Sequence, residues 1–289
     1  MLEHLNAQPQ KPKRVVVLGA GGFVGGYSAR ALQARGVEVR ALARSDLDLL
    51  AADAGAKLKA LLRPGDSLLV VSARAPVKNV AMLGENIRMM EAVCAGIDGV
   101  ALHHVVYISS DAVYRDSAGP LTEASCAEPG SLHGAMHLAR ELMLKSVVTA
   151  PFAALRPSLL YGPGDPHNGY GPNRFARLAA EGKAIVLFGE GEERRDHVFI
   201  EDVAELVCRV LLHRSRGILN IATGEVTSFR AIAESVVRNA KTKVPVNGSP
   251  RQGPMPHNGY RPFDAAATRK AFPDFRYTPI AEGLARLPG

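Results

Sequence analysis

Residues 14–25 read RVVVLGAGGFVG, a short run of β-branched residues that stops at a glycine and reopens, after a tight turn, as a helix. An apolar run with no alternation is covered on both faces, as strands of a parallel sheet are and strands of a solvated hairpin are not. Gly19, Gly22 and Gly25 let the backbone turn sharply, approach a ligand closely and pack the following helix on the strand. That helix begins with N–H groups that have no intrahelical partner, at the positive end of its dipole, where an anion such as a pyrophosphate is held well. A glycine triplet alone is a weak signal. Between an N-terminal strand and a helix it points specifically to a dinucleotide. Phe23 and Val24, inside the turn, belong to the same expected contact surface.

The rest of the chain repeats the alternation. Strands are expected over 37–42, 67–72, 105–109 and 152–155, and helices over 24–35, 56–62, 79–95 and 131–148. After Tyr161 the segment GPGDPHNGYGP is too rich in Gly and Pro for a sheet core. A helix near 173–181, a strand near 185–187, a helix from about Glu201 and a strand at 218–223 follow, and the C-terminal stretch is Pro-rich with weaker periodicity. The fold class is α/β: a Rossmann-type doubly wound parallel sheet with a small C-terminal substrate lobe. Residues 12–165 and 196–222 are expected to form the dinucleotide-binding core, 166–195 and 223–289 the lobe, and 1–11 a flexible tail.

Composition narrows the functional classes. Among 289 residues there is no tryptophan and aromatics are only 6%, which argues against a nucleic-acid stacking surface. The net charge of +7 comes from scattered basic residues rather than a groove for a duplex, and suits phosphate-bearing ligands. No apolar run approaches the ~20 residues that cross a membrane. Cys94, Cys126 and Cys208 are odd in number and fit no zinc spacing, so a reducing, cytoplasmic setting is expected.

The end of the second strand reads Leu42-Ala43-Arg44-Ser45. NAD-binding folds usually place a carboxylate there, on the ribose 2′-hydroxyl. Here it is missing, and Arg44 could pair with a 2′-phosphate through two parallel hydrogen bonds. NADP is therefore the preferred cofactor and NAD the alternative; Arg44 as a plain surface side chain is the competing reading.

The chain resembles the extended short-chain dehydrogenase/reductases, the NAD-dependent epimerase/dehydratase family that remodels nucleotide-linked sugars. GAGGFVG at 19–25, VVYISSDAVY at 105–114, LRPSLLYGPG at 155–164, LFGEGEERRDHVFIEDVAE at 187–205 and LNIATGE at 219–225 carry the likeness, in the family's order. The short stretch between the second strand and Ser72 is similar to the dTDP-4-dehydrorhamnose reductase branch. By that likeness Asp48 and Leu49 lie beside the adenine, and Ser72, Ala73 and Arg74 pass along the cofactor, as do Ser109 and Pro157.

The family moves a proton on a sugar oxygen with Ser/Thr, Tyr and Lys while hydride passes to or from the nicotinamide. The lysine ammonium lowers the tyrosine pKa and holds the cofactor ribose. Ser110 stands at the family's serine position, and Asp111 matches an acid used by the dehydratase branch, although the glutamate that should follow is Ala112. The tyrosine–lysine motif is altered. Ser131, Gly134 and Glu141 keep its frame, which places His133 at the tyrosine position and His137 at the lysine position. Three readings stay open. His133 transfers the proton, with an unperturbed pKa of about 6.5, while His137, one turn on along the same face, bonds the ribose; the pair binds a metal, with no third ligand evident; or the protein binds ligands without catalysis, as regulatory members of the family do.

On the substrate side, the resemblance makes Arg195 the clamp of a nucleotide diphosphate and puts Asn173 near the same phosphates, whereas a further expected asparagine is Leu159. A salt bridge from Arg195 to Asp196 or Asp202 is the competing role. The expected function is a reductase or epimerase acting on a carbonyl or hydroxyl of a nucleotide-sugar-like small molecule. Ser110, His133 and His137 are its catalytic residues, with no metal, no nucleic-acid partner and no membrane, and a homodimer by resemblance.

Overall fold

In the computed structural model, which describes residues 2–241 and 243–288, the apolar run forms the buried strand β1 (Val15–Leu18), and the glycine turn opens helix α1 (Phe23–Ala34). The strand β2 (Val39–Leu42), helix α2 (Ala54–Leu61) and buried strand β3 (Ser67–Val70) follow. Helix α3 (Val80–Ile97) is capped by Asn79, whose side chain accepts from Met82 N. Next come β4 (His104–Ile108), α4 (Leu132–Val147) and β5 (Phe152–Pro157); Ser131 caps α4 through Gly134 N. Further along are β6 (Leu159–Tyr161), α5 (Pro172–Ala180), β7 (Ile185–Phe188), β8 (Arg194–Phe199), α6 (Ile200–Leu212) and β9 (Gly217–Ile221). The chain finishes with β10 (Val226–Ser228), α7 (Phe229–Asn239), β11 (Val246–Ser249), β12 (Tyr260–Arg261), α8 (Ala266–Ala271) and α9 (Ile280–Ala285).

These elements divide into two compact units. The first holds the residues up to Arg115 together with Glu123–Pro157 and Val203–Ile221. Its six strands are all parallel, in the order β2-β1-β3-β4-β5-β9. The stretch between β2 and β3 supplies only α2 and no further strand, so β2 is left at the edge. One core cluster joins Leu68, Val70, Val105 and Tyr107 of the sheet to Met90 and Val93 of α3 and Leu144 of α4. Full burial of each such side chain contributes roughly 1.5–3 kcal/mol. The chain reverses direction across the sheet between β1 and β3, and ligands of open α/β sheets bind beyond the strand C-termini at such a point.

The second unit holds Asp116–Thr122, Ser158–Asp202 and the residues from Ala222 onward. Its centre is β8, which pairs with β6 and β12 in parallel and with β10 in antiparallel fashion; β7 and β11 form a separate parallel pair. Phe175 of α5, Ile185 and Leu187 of β7, and Phe229, Ile232 and Val236 of α7 build its core. The polar segment RRDHVF is buried from Arg195 onward as β8, with the Asp196 carboxylate at its middle satisfied internally. Asp196 accepts from Ser158 Oγ at 2.7 Å, Thr223 Oγ1 at 2.9 Å, Thr223 N at 3.1 Å and Gly224 N at 2.8 Å.

The N-terminal segment, expected to be a flexible tail, is held along the end of α6. Glu3 and Arg216 form a two-way backbone bridge, His4 Nδ1 meets Ser215 Oγ at 2.7 Å, and Asn6 N and Gln10 N donate to the carbonyls of His213 and Leu212. The last carbonyls of a helix have no intrahelical donor, and the extended segment supplies one. Among the described residues no helix is long and apolar enough to cross a membrane.

Candidate active site

The glycine turn is built by exclusion of side chains. Gly19 has φ +91°, and a methyl group there would lie 2.7 Å from Ser72 N. At Gly25 a methyl group would lie 2.1 Å from the Gly19 carbonyl oxygen, so only glycine lets α1 start against the turn. The N-cap is Gly22, no side chain caps the helix and its first turn holds no acid. No N-cap side chain and no acid of the first turn therefore competes for the first N–H groups of α1, and the residues present fit a pyrophosphate. Gly22 is exposed and Phe23 half-buried, set edge-on to Tyr27, whereas Val24 and Gly25 pack inward.

Around this turn the expected cofactor contacts are placed unevenly. Ser72 follows β3, and its amide donates to Leu18 O. Ala73 and Arg74 continue the segment; Asn86 accepts from Arg74 N, and the Arg74 guanidinium pairs with Glu85. Arg44 is 72% exposed and faces Asp48 at 3.2 Å, four residues on. Asp48 also accepts from Leu50 N, and this bond, with Arg44, holds its carboxyl below the usual range. Leu49 is buried in the core cluster, so its side chain is engaged in packing. Pro157, the last residue of β5, is buried beside Ile221 of β9.

At the C-terminal end of β4, Ser109 is buried and its hydroxyl donates to Glu141 Oε1 at 2.6 Å. Glu141 is fully buried and takes a bidentate pair from Arg156, Nε at 2.9 Å and Nη2 at 2.7 Å. The pair ties α4 to β5, and the serine ties both to β4. Ser110 starts the short 3-10 turn Asp111–Val113: its hydroxyl accepts from Ala112 N at 3.1 Å and donates to Asp111 Oδ1 at 3.3 Å. Helix α4 starts directly against this turn. A methyl group on Gly134 would stand 2.0 Å from Ala112 O, so glycine at this position is what brings His133 next to the Ser110–Asp111 segment.

His133 is half-buried and His137 buried, with their rings edge to face and centroids 4.8 Å apart. His137 Nδ1 is 2.8 Å from the hydroxyl of Tyr107, a buried residue of β4. Burial above all, and then the neighbouring charges of His133 and Arg140, hold the His137 pKa well below the ordinary histidine value. It is therefore neutral near pH 7 and cannot stand in for an ammonium. Burial likewise pushes the Tyr107 phenol up to about 12. Arg140, fully buried, donates from Nη2 to Ser72 O at 2.7 Å, and its guanidinium carbon lies 5.4 Å from the Tyr107 ring centroid. The Ser110–Val113 turn thus packs against the start of α4, which carries His133 and, one turn on, His137.

In the second unit Asn173 turns its side chain to its own backbone. Its Oδ1 accepts from Gly162 N at 3.0 Å, and its Nδ2 donates to Gly162 O at 2.5 Å. Arg195 is nearly buried and pairs with Glu193 at 3.3 Å, rather than with Asp196 or Asp202. Opposite Arg195 in the ladder stands Arg261 of β12, 2% exposed, paired with Asp116 and 3.0 Å from His257 Nδ1. Burial, followed by the charge of Arg195, lowers the His257 pKa. Sequence reasoning missed Tyr107, Arg140 and Arg261. The first hides in an apolar strand, the second inside a motif read only for its frame, and the third in a Pro-rich segment whose strand is two residues long. Among the described residues no three His, Cys, Asp or Glu side chains are grouped to hold a metal ion.

The chain is 28% identical over 200 residues to a dTDP-L-rhamnose 4-epimerase from Burkholderia thailandensis, a stretch that is 55% of either protein, so the match spans about half the length of that relative. A UDP-N-acetylglucosamine 4-epimerase from Methanobrevibacter ruminantium, in complex with UDP-N-acetylmuramic acid, superposes with a TM-score of 0.81 at 21% identity, over 96% of this chain and 97% of that one. A GDP-L-fucose synthetase from Naegleria fowleri bound to NADP gives 0.80 at 16% identity, over 98% and 95%. Both structures share the fold. Residues 15–222 match the family model of the NAD dependent epimerase/dehydratase family, and the chain belongs to that family.

Proposed function

We propose that the protein is a nicotinamide-dependent reductase or epimerase that acts on a carbonyl or hydroxyl of a nucleotide-sugar-like substrate. The observation that carries this reading is the contact of Gly134 with Ala112, which keeps an imidazole at the tyrosine position beside the serine turn. When bound, the dinucleotide supplies the hydride chemistry. Ser110 orients the reacting oxygen, His133 gives or takes its proton, and His137 donates a hydrogen bond to a ribose hydroxyl. Arg195 and Arg261, side by side on β8 and β12, support recognition of a diphosphate.

NADP is the proposed cofactor. Arg44 would exchange Asp48 for the 2′-phosphate, and the exchange is cheap because an exposed i,i+4 pair contributes only about 0.3–0.5 kcal/mol. A homodimer through α3 and α4 suits the exposed Val80, Leu132 and Leu142, and a reducing cytoplasm suits three cysteines that form no disulfide.

The test is His133→Phe, assayed on a panel of UDP-, dTDP- and GDP-hexoses by the absorbance of the reduced cofactor. Turnover should vanish while the dinucleotide still binds. Undiminished turnover in that variant refutes the role of His133.

A further inference from the structure

In the family pattern one lysine both holds the ribose and supplies positive charge; a neutral imidazole at position 137 can only do the first. It can do so only with the proton on the nitrogen that faces away from the sheet side, since a bare nitrogen donates nothing. Which nitrogen carries it is set by the partner of the other.

We propose that Tyr107 is a positioning residue: its phenol donates to His137 Nδ1 and thereby fixes the imidazole as the Nε2–H tautomer, while buried Arg140 provides beside the pair the charge that His137 lacks. The inference rests on the ribose-binding role given to His137 above. Three further side chains of α4 surround the Tyr107–His137 contact. Arg140 can only donate; its Nη2 gives to Ser72 O and its Nη1 to Met136 Sδ. Both carboxylate oxygens of Glu141 are taken by Arg156, and one by Ser109 as well. His133 meets His137 edge to face at 4.8 Å between centroids. The phenolic proton has an acceptor within hydrogen-bond reach in His137 Nδ1, 2.8 Å away. Were Nδ1 protonated instead, the Tyr107 hydroxyl would accept and its own buried proton would lack a partner, at a cost of roughly 1–3 kcal/mol. The assignment also gives Arg140 a purpose. A guanidinium cannot lose its proton, so its charge persists at any pH the enzyme meets.

Long-range proton–nitrogen NMR on the full chain labelled in histidine reads the tautomer directly, and the unaltered protein suffices for the first measurement. His137 should be Nε2–H; an Nδ1–H tautomer overturns the proposal. Tyr107→Phe keeps the ring and removes the donor. It should mix the two tautomers and weaken NADH and NADPH alike by about fivefold, the size of one neutral hydrogen bond. An unchanged tautomer in this variant also overturns the proposal, whatever the titration gives. If the tautomer shifts as stated but His137→Ala binds both dinucleotides as tightly as the unaltered chain, it is the ribose role of His137 that fails, and the use of the lock fails with it.

Discussion

Replacing Gly134 by alanine sets two effects of known size against each other. Position 134 lies in the first turn of α4, where alanine is the better helix former by about 1 kcal/mol. Its methyl group, however, would stand 2.0 Å from Ala112 O and 2.8 Å from Pro129 Cβ. Comfortable contact begins near ~3.5 Å, so the helix start and the serine turn must separate by about 1.5 Å. Overpacking of this kind costs typically 1–3 kcal/mol, which leaves a net loss of about 0–2 kcal/mol. The same displacement moves His133 away from Ser110, and about 1 Å of misplacement lowers turnover by roughly a hundredfold. Gly84 is the control. It lies in α3 of the same unit, and a methyl group there would meet only Arg88 Nη1, at 3.5 Å. Gly84→Ala should gain up to about 1 kcal/mol. Urea denaturation of both variants reads the difference as shifts of midpoint at unchanged slope. Finding Gly134→Ala as stable as Gly84→Ala, with turnover intact, would refute the close-approach argument.

Other outcomes follow from the same geometry. Glu141→Ala strands the buried Arg156 charge and should cost about 3–5 kcal/mol, most of it recovered when Arg156 is also changed to methionine; equal losses in the single and double variants would count against the pair. His104 is buried and donates to Ser215 O, and burial pushes its pKa from 6.5 down to about 4. The folded chain stays neutral there while the unfolded chain binds a proton. Stability is thus full above pH 6.5 and falls as pH drops toward 4, by about 1.4 kcal/mol per unit. His137 in the same unit adds to the slope, and His104→Gln should flatten it by one proton in urea midpoints taken across that range. Arg44→Ala should weaken NADPH by about tenfold and leave NADH unchanged, because an exposed phosphate contact contributes about 1 kcal/mol or slightly more.

The first unit was legible chiefly because three of its central strands are apolar runs. VVVL, SLLV and HVVYI are buried on both faces, and their bounds agree with expectation to within a residue or two. In the second unit α5 and β7 lie where expected, but the remaining strands were not legible, for two reasons. Strand β8 is polar, and it is buried with internal bonds such as those to Asp196, which no period reveals. Strands β10 and β12 are too short for any alternation. Helix α7 was available, since Phe229, Ile232, Ala233 and Val236 keep helical spacing after the cap Ser228, but the prolines around it masked the signal. At the site, the motif frame located His133 and His137 correctly on α4. Their protonation could not be read, because it depends on Tyr107 and Arg140, which reach them only through the fold.

The strand order of the first unit bears on how the chain is made. Strand β5 is complete at Pro157, but its outer neighbour β9 begins only at Gly217, after the Ser158–Asp202 segment of the second unit and helix α6 have been made between them. At about 5–20 residues per second, a ribosome needs roughly 3–12 s to supply the intervening residues. For that time the apolar β5 presents an open edge, the kind of surface on which nascent chains pair with one another. Transient cover by a chaperone during those seconds would protect yield without touching the stability of the finished protein, and a chain stopped short of β9 would keep that edge permanently open.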